Sequence, residues 1–351
     1  MRFYFIITLN FICFMHMSAF ANEVKDVEVK VDNKNVSKPC FNAQEVLEQK
    51  SSFRQLIRAL ALFPKKHLVK NSDKDLSRQK KGYCSQYRKN GFEFLKDRAK
   101  LNGFRNHTLN GGGLFDGGVC WWHSRLERSS YYLTVYRSDL PKPTEEEAYE
   151  ILRTLSRNSQ VVEIPGFDSF REFSKSYPHV FQLYLNDWMS RDAVFRFSWI
   201  RGLSGRSILH PEKLKKKMDE LFNDVTVENK VVYQKLQDKE ILSAHSWLVV
   251  DMKKTLDEDK EETGYTLFIR DSNGYDVKEV QYQIGDTYLR DNSDPYKIGD
   301  YYFVPITERN GDFRKIKKAI DNYCGGFTDK DLEYTQEEAE EIWDLLWDAS
   351  F

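Results

Sequence analysis

Hydrophobic residues recur along the chain with two different periods, and the change falls near residue 225. Before it, apolar residues keep helical spacing, as in NAQEVLEQKSSFRQLIRALALF at 42–63. After it come short β-branched and aromatic runs separated by turn sequences such as NG and GD, which is typical of an antiparallel sheet. Helices followed by strands predict an α+β fold.

The same patterns give the expected elements, with start and stop signals at several boundaries. Helices are predicted at 42–63, 74–99, from Cys120 to about Arg137, 144–157, 168–200, 211–223, 312–323 and 335–350. Strands are predicted at 161–167, 226–236, 241–254, 264–272, 276–284 and 300–308. The predicted architecture is therefore a helical N-terminal part packed on an antiparallel β-sheet, with helices again at the C-terminal end.

The first 21 residues, MRFYFIITLNFICFMHMSAFA, differ in character from the rest of the chain. One arginine precedes an apolar run, and the segment ends in Ala-Phe-Ala, which fits a small-x-small cleavage site. These features predict a secretory signal peptide cleaved after Ala21, and hence a secreted or periplasmic protein. The alternative is an N-terminal anchor, although the apolar run is short and interrupted for a membrane span.

Composition narrows the class of protein and of partner. The chain of 351 residues is 40% hydrophobic and 14% aromatic, which excludes wholesale disorder. A formal net charge of −1 argues against nucleic acid or an anionic membrane as partner, and we expect no membrane association after signal cleavage. The glycine-rich run GGGLFDGG at 111–118 lacks the Lys-Ser/Thr end of a phosphate-binding loop, so no cofactor is expected.

The chain has five cysteines, and the four that remain after the predicted signal cleavage allow either two disulfides or one disulfide and two thiols. Cys13 leaves with the predicted signal peptide, and the remaining four are Cys40, Cys84, Cys120 and Cys324. An exported protein favours oxidised cysteines, so a thiol that persists there, such as a free Cys120, would indicate a chemical role. Cys120 and His123 could form half of a zinc site, but no second pair at ligand spacing is present, and no metal is expected.

Cys120 lies where the glycine-rich run meets a predicted helix. A helix N-terminus has unpaired backbone N–H groups and the positive end of the helix dipole, and both favour a reactive thiolate. The same amides can bind the oxyanion of an acyl-transfer intermediate. Cys120 is therefore a candidate nucleophile, and the alternative is a buried structural cysteine.

His245 is the histidine that falls in a predicted strand, where the backbone would hold an imidazole rigidly as a general base requires. Strand alternation places His245, Trp247 and Val249 on one face. The alternative role for His245 is a core residue packed beside Trp247.

Asp271 ends the next predicted strand, and an antiparallel hairpin would bring it back beside His245. Ser272 and Asn273 are the neighbouring alternatives for a residue that orients the imidazole. Because DSNG is also a good turn sequence, Asp271 could instead serve only the turn.

The order of these residues resembles the papain-like cysteine peptidase fold. In that family a Cys-Trp pair opens the central helix, a His leads a sheet strand, and an Asn or Asp lies on the next strand, matched here by Cys120-Trp121, His245 and Asp271. The aspartate as third member is more similar to the bacterial effector and bacteriocin-processing branches than to the plant enzymes. The resemblance covers about 100–305 and concerns order and local context, without extended identity.

The resemblance implies a papain-like catalytic domain, which completes the domain organisation expected from the sequence patterns, and it also implies an oxyanion donor. The expected organisation is a signal peptide at 1–21, a mobile lead-in at 22–41, a helical N-terminal region at 42–100 and a papain-like catalytic domain at 101–351. The family places a glutamine or similar amide several residues before the cysteine, whereas position 114 here is leucine. Asn110 is the preferred substitute, and Asn106 is the other amide in the loop.

The expected function is therefore that of an exported cysteine hydrolase that cleaves peptide or amide bonds in a protein or peptide substrate. Cys120 would be the nucleophile, His245 the base and Asp271 the orienting group. A transglutaminase or deamidase with the same triad is the second hypothesis. The third is a non-catalytic envelope binding protein, in which Cys120 would be disulfide-bonded, with Cys84 as one partner considered, and His245 would be a core residue.

Overall fold

The computed structural model describes residues 41–42, 78–108, 119–195, 209–238, 243–274, 276–294, 297–303 and 310–326. The predicted signal peptide and the predicted helix at 335–350 lie outside the described residues, as does all of the predicted 42–63 helix except its first residue. Within the described residues, no helix combines the length and the hydropathy needed to cross a bilayer.

The strands after residue 230 form one curled antiparallel sheet, which confirms the α+β prediction. Its members are β4 (Val232–Asp238), β5 (Ser243–Leu256), β6 (Glu262–Asp271), β7 (Val277–Gln283), β8 (Leu289–Asp294) and β9 (Lys297–Phe303). Their order is β5-β4-β9-β8-β7-β6, and β6 pairs again with β5, so the sheet closes on itself. All of these pairings are antiparallel.

In chain order, seven described helices precede the strands of this sheet and one described helix follows them. They are α1 (Arg78–Asn90), α2 (Phe92–Arg98), α3 (Cys120–Leu133), α4 (Glu145–Ser156), α5 (Phe170–Ser176), α6 (Pro178–Phe195), α7 (Pro211–Phe222) and α8 (Asn310–Cys324). Gly91 separates α1 from α2 with a φ of 58°, a left-handed conformation that suits glycine. Thr144 begins α4 with a capping box to Glu147, as its TEEE sequence predicts.

Strand β5 separates two hydrophobic cores, because successive side chains point to opposite faces. Leu248 and Val250 belong to the core shared with the helices. Trp247 and Val249 belong to the core enclosed by the sheet and α7. The predicted alternation along this strand is therefore confirmed.

The predicted helix from Cys120 to about Arg137 is wrong at its end. Helix α3 stops at Leu133, and Thr134–Arg137 forms strand β2. Strand β2 pairs in parallel with β3 (Val162–Pro165). The β-branched and aromatic residues of TVYR favour a strand, and the partner strand supplies the hydrogen bonds that decide between the two states.

A disulfide joins Cys84 of α1 to Cys324, the last residue of α8, with the two Cα atoms 5.4 Å apart. The two cysteines are 240 residues apart in the chain and both are buried. This bond ties the helices on the two sides of the sheet segment to each other.

A two-residue strand, β1 (Phe41–Asn42), lies at the boundary expected between a mobile lead-in and a helix starting at residue 42. It pairs antiparallel with β5, Phe41 opposite Ala244 and Asn42 opposite Ser243. Strand β6 pairs with β5 from Trp247 onward, so β1 takes the part of the β5 edge that β6 does not reach. The rest of the expected lead-in at 22–41 and residues 43–77 of the expected helical region lie outside the described residues, so the boundary between the two segments stays a prediction.

Candidate functional site

The hairpin of β5 and β6 brings His245 and Asp271 together, as predicted. Trp247 pairs with Asp271 in the sheet register, and the two strands run antiparallel from there. The Nε2 atom of His245 lies 2.7 Å from the Oδ1 atom of Asp271. Both side chains are buried, so this contact is shielded from water.

Asp271 accepts hydrogen bonds from more than His245. The backbone N–H of Asn273 donates to its Oδ1 atom at 2.9 Å, and the Nζ atom of Lys278 lies 3.4 Å from Oδ2. Burial alone would raise the pKa of the Asp271 carboxyl, but the charge and hydrogen bond of His245, with Lys278 and the Asn273 amide, hold that pKa well below its usual range. Asp271 is therefore ionised at neutral pH.

An ionised Asp271 decides which nitrogen of His245 carries the proton. The Nε2–H group donates to the carboxylate, so the basic nitrogen of a neutral imidazole is Nδ1. The ring of Trp247 packs edge-on to His245 with ring centroids 6.1 Å apart, which restricts rotation of the imidazole.

The first turn of α3 lies against β5 at His245. The Trp121 indole N–H donates to the His245 carbonyl oxygen at 3.1 Å. One turn later, the Ser246 hydroxyl donates to the Ser124 hydroxyl at 3.1 Å. The predicted nucleophile, Cys120, is the first residue of this helix and is fully buried.

Cys120 is disulfide-bonded, so the expectation of a free thiol does not hold for this state of the protein. Its partner lies outside the described residues, and it is not Cys84, which pairs with Cys324. A cysteine in a disulfide is not a nucleophile until the bond is reduced.

Val119 occupies the N-cap position of α3, and its side chain has no oxygen to accept a hydrogen bond from the first turn. Asn110, the preferred oxyanion donor, falls in 109–118 and lies outside the described residues. Asn106 is buried, and its Oδ1 atom accepts from the backbone N–H and the hydroxyl of Thr108 at 3.0 and 2.8 Å. The Nδ2 group of Asn106 has no hydrogen-bond acceptor among the described residues.

His123, on α3, holds the loop that precedes the glycine-rich run against this helix. Its Nε2 atom lies 2.6 Å from the Thr108 carbonyl oxygen, and Nδ1 lies 3.7 Å from a Glu127 carboxylate oxygen. Burial lowers the pKa of His123, so the neutral ring donates from Nε2 to Thr108. Among the residues that the structure describes, no group of three or more potential ligands could hold a metal ion.

Sequence reasoning missed Arg105, which holds the turn that carries Asp271. Its guanidinium donates to the Asp271 carbonyl oxygen at 3.1 Å and also to the carbonyl oxygen of Gly274. Lys278 was missed as well, although its position in the strand after the DSNG turn is a signal that it could reach back to Asp271. No local pattern distinguishes Arg105 from the many other basic residues of the chain.

No family model, no curated protein and no solved structure matches this chain. The resemblance to papain-like peptidases therefore stays a prediction from the order of Cys120, His245 and Asp271 in the chain.

Proposed function

We propose that this protein is a cysteine hydrolase of the papain-like type that acts once Cys120 is reduced. The observation that carries the proposal is a buried His245–Asp271 contact on a strand whose backbone, at the His245 carbonyl oxygen, accepts a hydrogen bond from Trp121 in the first turn of the helix that begins at Cys120. A buried carboxylate–imidazole pair next to a cysteine at a helix N-terminus is the arrangement that thiol-based acyl transfer needs.

Each group has one role in the proposed reaction. His245 Nδ1 takes the proton of the Cys120 thiol, and the thiolate attacks the acyl carbon of the substrate. The resulting imidazolium returns that proton to the leaving amine as the tetrahedral intermediate collapses to a thioester, and water then hydrolyses the thioester. Asp271 keeps the imidazole in the required tautomer. The backbone amides of the first turn of α3 and the amide of Asn110 are the proposed oxyanion donors.

The proposed substrates are peptide or amide bonds in proteins or peptides. The triad itself does not select the acyl donor, so hydrolysis of a glutamine side-chain amide or its transfer to an amine is chemically equivalent at the thioester stage. The disulfides at Cys84 and Cys120 fit the oxidising environment proposed from the predicted signal peptide.

Product analysis tests this proposal. The full chain, reduced with dithiothreitol, is incubated with unfolded casein and with glutamine peptides in the presence of an alkylamine. We expect new peptide N-termini that depend on Cys120 and His245, measured by mass spectrometry. Ammonia release or amine incorporation without chain cleavage would instead support the deamidase or transglutaminase. Cys120→Ala is the matched control, and products that persist with it would contradict the proposal.

The disulfide at Cys120 supports a second candidate, a non-catalytic binding protein. In that case the bond is permanent and structural, and the buried His245–Asp271 contact stabilises the sheet. A reduced protein without any Cys120-dependent product, and with unchanged folding, would favour this candidate.

A further inference from the structure

Arg105 lies between the turn that carries Asp271 and helix α3. It is buried, and its Nη2 group donates to the carbonyl oxygens of Asp271, at 3.1 Å, and Gly274. These two residues begin and end the DSNG turn, in which the backbone nitrogen of Gly274 lies 3.4 Å from the Asp271 carbonyl oxygen. That separation is longer than in a good N–H···O hydrogen bond. Arg105 therefore closes the turn more tightly than the backbone of the turn does alone.

The geometry of this turn decides where the Asp271 carboxylate points. The backbone N–H of Asn273, inside the turn, donates to the Oδ1 atom of Asp271 at 2.9 Å. The Nε2 atom of His245 lies 2.7 Å from the same oxygen. A turn that loses its hydrogen bonds from Arg105 would therefore shift the carboxylate relative to the imidazole.

The other side of Arg105 faces a buried carboxylate on α3. Its Nε atom lies 3.9 Å from the Oε1 atom of Glu127, and both side chains are buried. The Tyr131 hydroxyl, one helical turn after Glu127, donates to the same oxygen and orients the carboxylate. Burial weakens the screening between opposite charges, so the attraction between Arg105 and Glu127 is stronger than it would be at the surface.

Helix α3 and strand β6 supply the proposed nucleophile and the orienting carboxylate from segments that are far apart in the chain. Trp121 fixes the start of α3 to β5 through the His245 carbonyl oxygen. Arg105 supplies the corresponding link from α3, at Glu127, to the end of β6, at Asp271. The helix that begins with the nucleophile is thus connected to both strands that carry the other members of the proposed triad.

We propose that Arg105 is a positioning residue that holds the Asp271 turn at a fixed place relative to the helix that begins at Cys120. The inference rests on the proposed function, because only a catalytic Cys120 needs an oriented imidazole at that place. Arg105 acts through Asp271 and is not one of the reacting groups. Small displacements of the groups around a reaction lower its rate strongly, so loss of this link should weaken the thiolate–imidazolium pair.

This role needs a guanidinium rather than another cation. The planar group carries several N–H donors in a fixed arrangement, so one side chain can donate to two carbonyl oxygens and also face a carboxylate. A lysine at this position would keep the charge opposite Glu127 but lack that fixed geometry. Arg105→Lys should therefore keep only part of what Arg105→Met loses.

The test follows alkylation of Cys120 by iodoacetamide in the reduced full chain between about pH 5 and about pH 9. Rates are measured by peptide mapping in wild type, Arg105→Met and Arg105→Lys, after each protein has been shown to unfold cooperatively in urea. Arg105→Met leaves the Glu127 carboxylate buried without this cation, which destabilises the folded chain. If that variant does not fold, Arg105→Met combined with Glu127→Gln removes both charges and loses the same hydrogen bonds to the turn.

The matched control is Arg98→Met. Arg98 is also a buried arginine that donates to two backbone carbonyl oxygens, but it does so at the other end of α3. A role confined to stability would give Arg105→Met and Arg98→Met the same pH profile of alkylation.

We expect Arg105→Met, alone or with Glu127→Gln, to alkylate at least about 5-fold more slowly than wild type at about pH 5.5. At about pH 9, where a thiol ionises without a partner, the rate should be close to that of wild type. Arg98→Met should keep the wild-type profile. A wild-type profile in Arg105→Met, or an equal change in Arg98→Met, overturns the positioning role and leaves the proposed function standing. If reduced wild type alkylates no faster at about pH 5.5 than the same chain unfolded in urea, the proposed function fails, and the positioning role fails with it.

Discussion

Replacing Asp271 is the most informative single perturbation of the candidate site, because three groups depend on its carboxylate. The Nε2–H group of His245 and the backbone N–H of Asn273 both donate to Oδ1, and Lys278 lies near Oδ2. Asp271→Ala removes all three contacts. Asp271→Asn keeps one oxygen that can accept a hydrogen bond, and it removes the charge and replaces the other oxygen with an NH2 group.

The expected magnitude is set by the donors left without an acceptor. An unsatisfied buried donor costs about 1–3 kcal/mol. Asp271→Ala leaves two donors without this acceptor, but the Asn273 N–H is only partly buried, so we expect a loss of about 2–5 kcal/mol in the free energy of unfolding. Lys278 is partly exposed and returns to water at little cost. Asp271→Asn should lose about half as much, since one acceptor remains.

The pH dependence of stability shows whether the folded protein favours the ionised form of Asp271. The folded-state pKa of Asp271 is depressed below its unfolded value of about 3.9, so its contribution is complete above that pH and is lost as the pH falls towards the folded-state pKa. Urea denaturation of wild type and Asp271→Asn, measured by tryptophan fluorescence, tests this directly. The difference in stability between the two should be largest near neutral pH and should shrink below about pH 4.

Two results would refute this reasoning about Asp271. If Asp271→Ala and wild type unfold at the same urea concentration at neutral pH, the carboxylate satisfies no buried donor. If the difference in stability between Asp271→Ala and wild type stays unchanged down to about pH 2, the carboxylate is not held ionised by His245 and Lys278.

Three further predictions concern the scaffold, all measured as the free energy of unfolding in urea. Cys84→Ser opens a disulfide that closes a loop of 240 residues, and the chain-entropy relation predicts a loss of about 5 kcal/mol under oxidising conditions; an equal loss in fully reduced protein would contradict it. The guanidinium of Arg98 donates to the carbonyl oxygens of Tyr131 and Thr134, at 3.0 and 2.9 Å, where α3 meets β2. Arg98→Met removes both hydrogen bonds and should cost about 3 kcal/mol. An unchanged stability would show that water replaces the guanidinium. Gly264→Ala places a methyl group against the carbonyl oxygen of Tyr282 and should cost about 1–3 kcal/mol. The control is Gly274→Ala, whose methyl group would meet only the end of a lysine side chain. Equal effects of the two substitutions would argue against the close approach of β6 and β7.

The sheet and its central contact could be predicted from sequence because the information is local. Alternation in SAHSWLVV and a hairpin to the next strand are enough to place Asp271 beside His245, and the structure confirms that contact. The catalytic roles of these residues stay a prediction.

Elements whose state depends on a distant partner were the ones that sequence missed. Strand β2 comes directly after a mostly buried helix, and its pairing with β3 accompanies the end of that helix at Leu133. Strand β8, with the sequence LRDNSD, is polar and lacks strand propensity, yet it pairs with both β7 and β9.

Contacts between residues far apart in the chain could not be predicted from the sequence either. The spacing of four cysteines allows three connectivities, and nothing local selects Cys84–Cys324 across 240 residues. Arg105 reaches Asp271 because α2 and the turn after it bring it to the end of β6, which no pattern around residue 105 records. The proposed oxyanion donor Asn110 lies outside the described residues.

The measurement that tests the central claim most directly is the rate at which iodoacetamide alkylates Cys120 in the reduced full chain at about pH 5.5, where an ordinary thiol with a pKa of about 8.5 is almost fully protonated. A thiolate paired with the His245 imidazolium is ionised there, and after allowing for its lower intrinsic nucleophilicity we predict alkylation about 10-fold faster than in the same chain unfolded in urea. His245→Ala should remove this advantage. Equal rates in the folded and unfolded wild-type chain, or a fast rate that survives His245→Ala, would contradict the proposed Cys120–His245 pair.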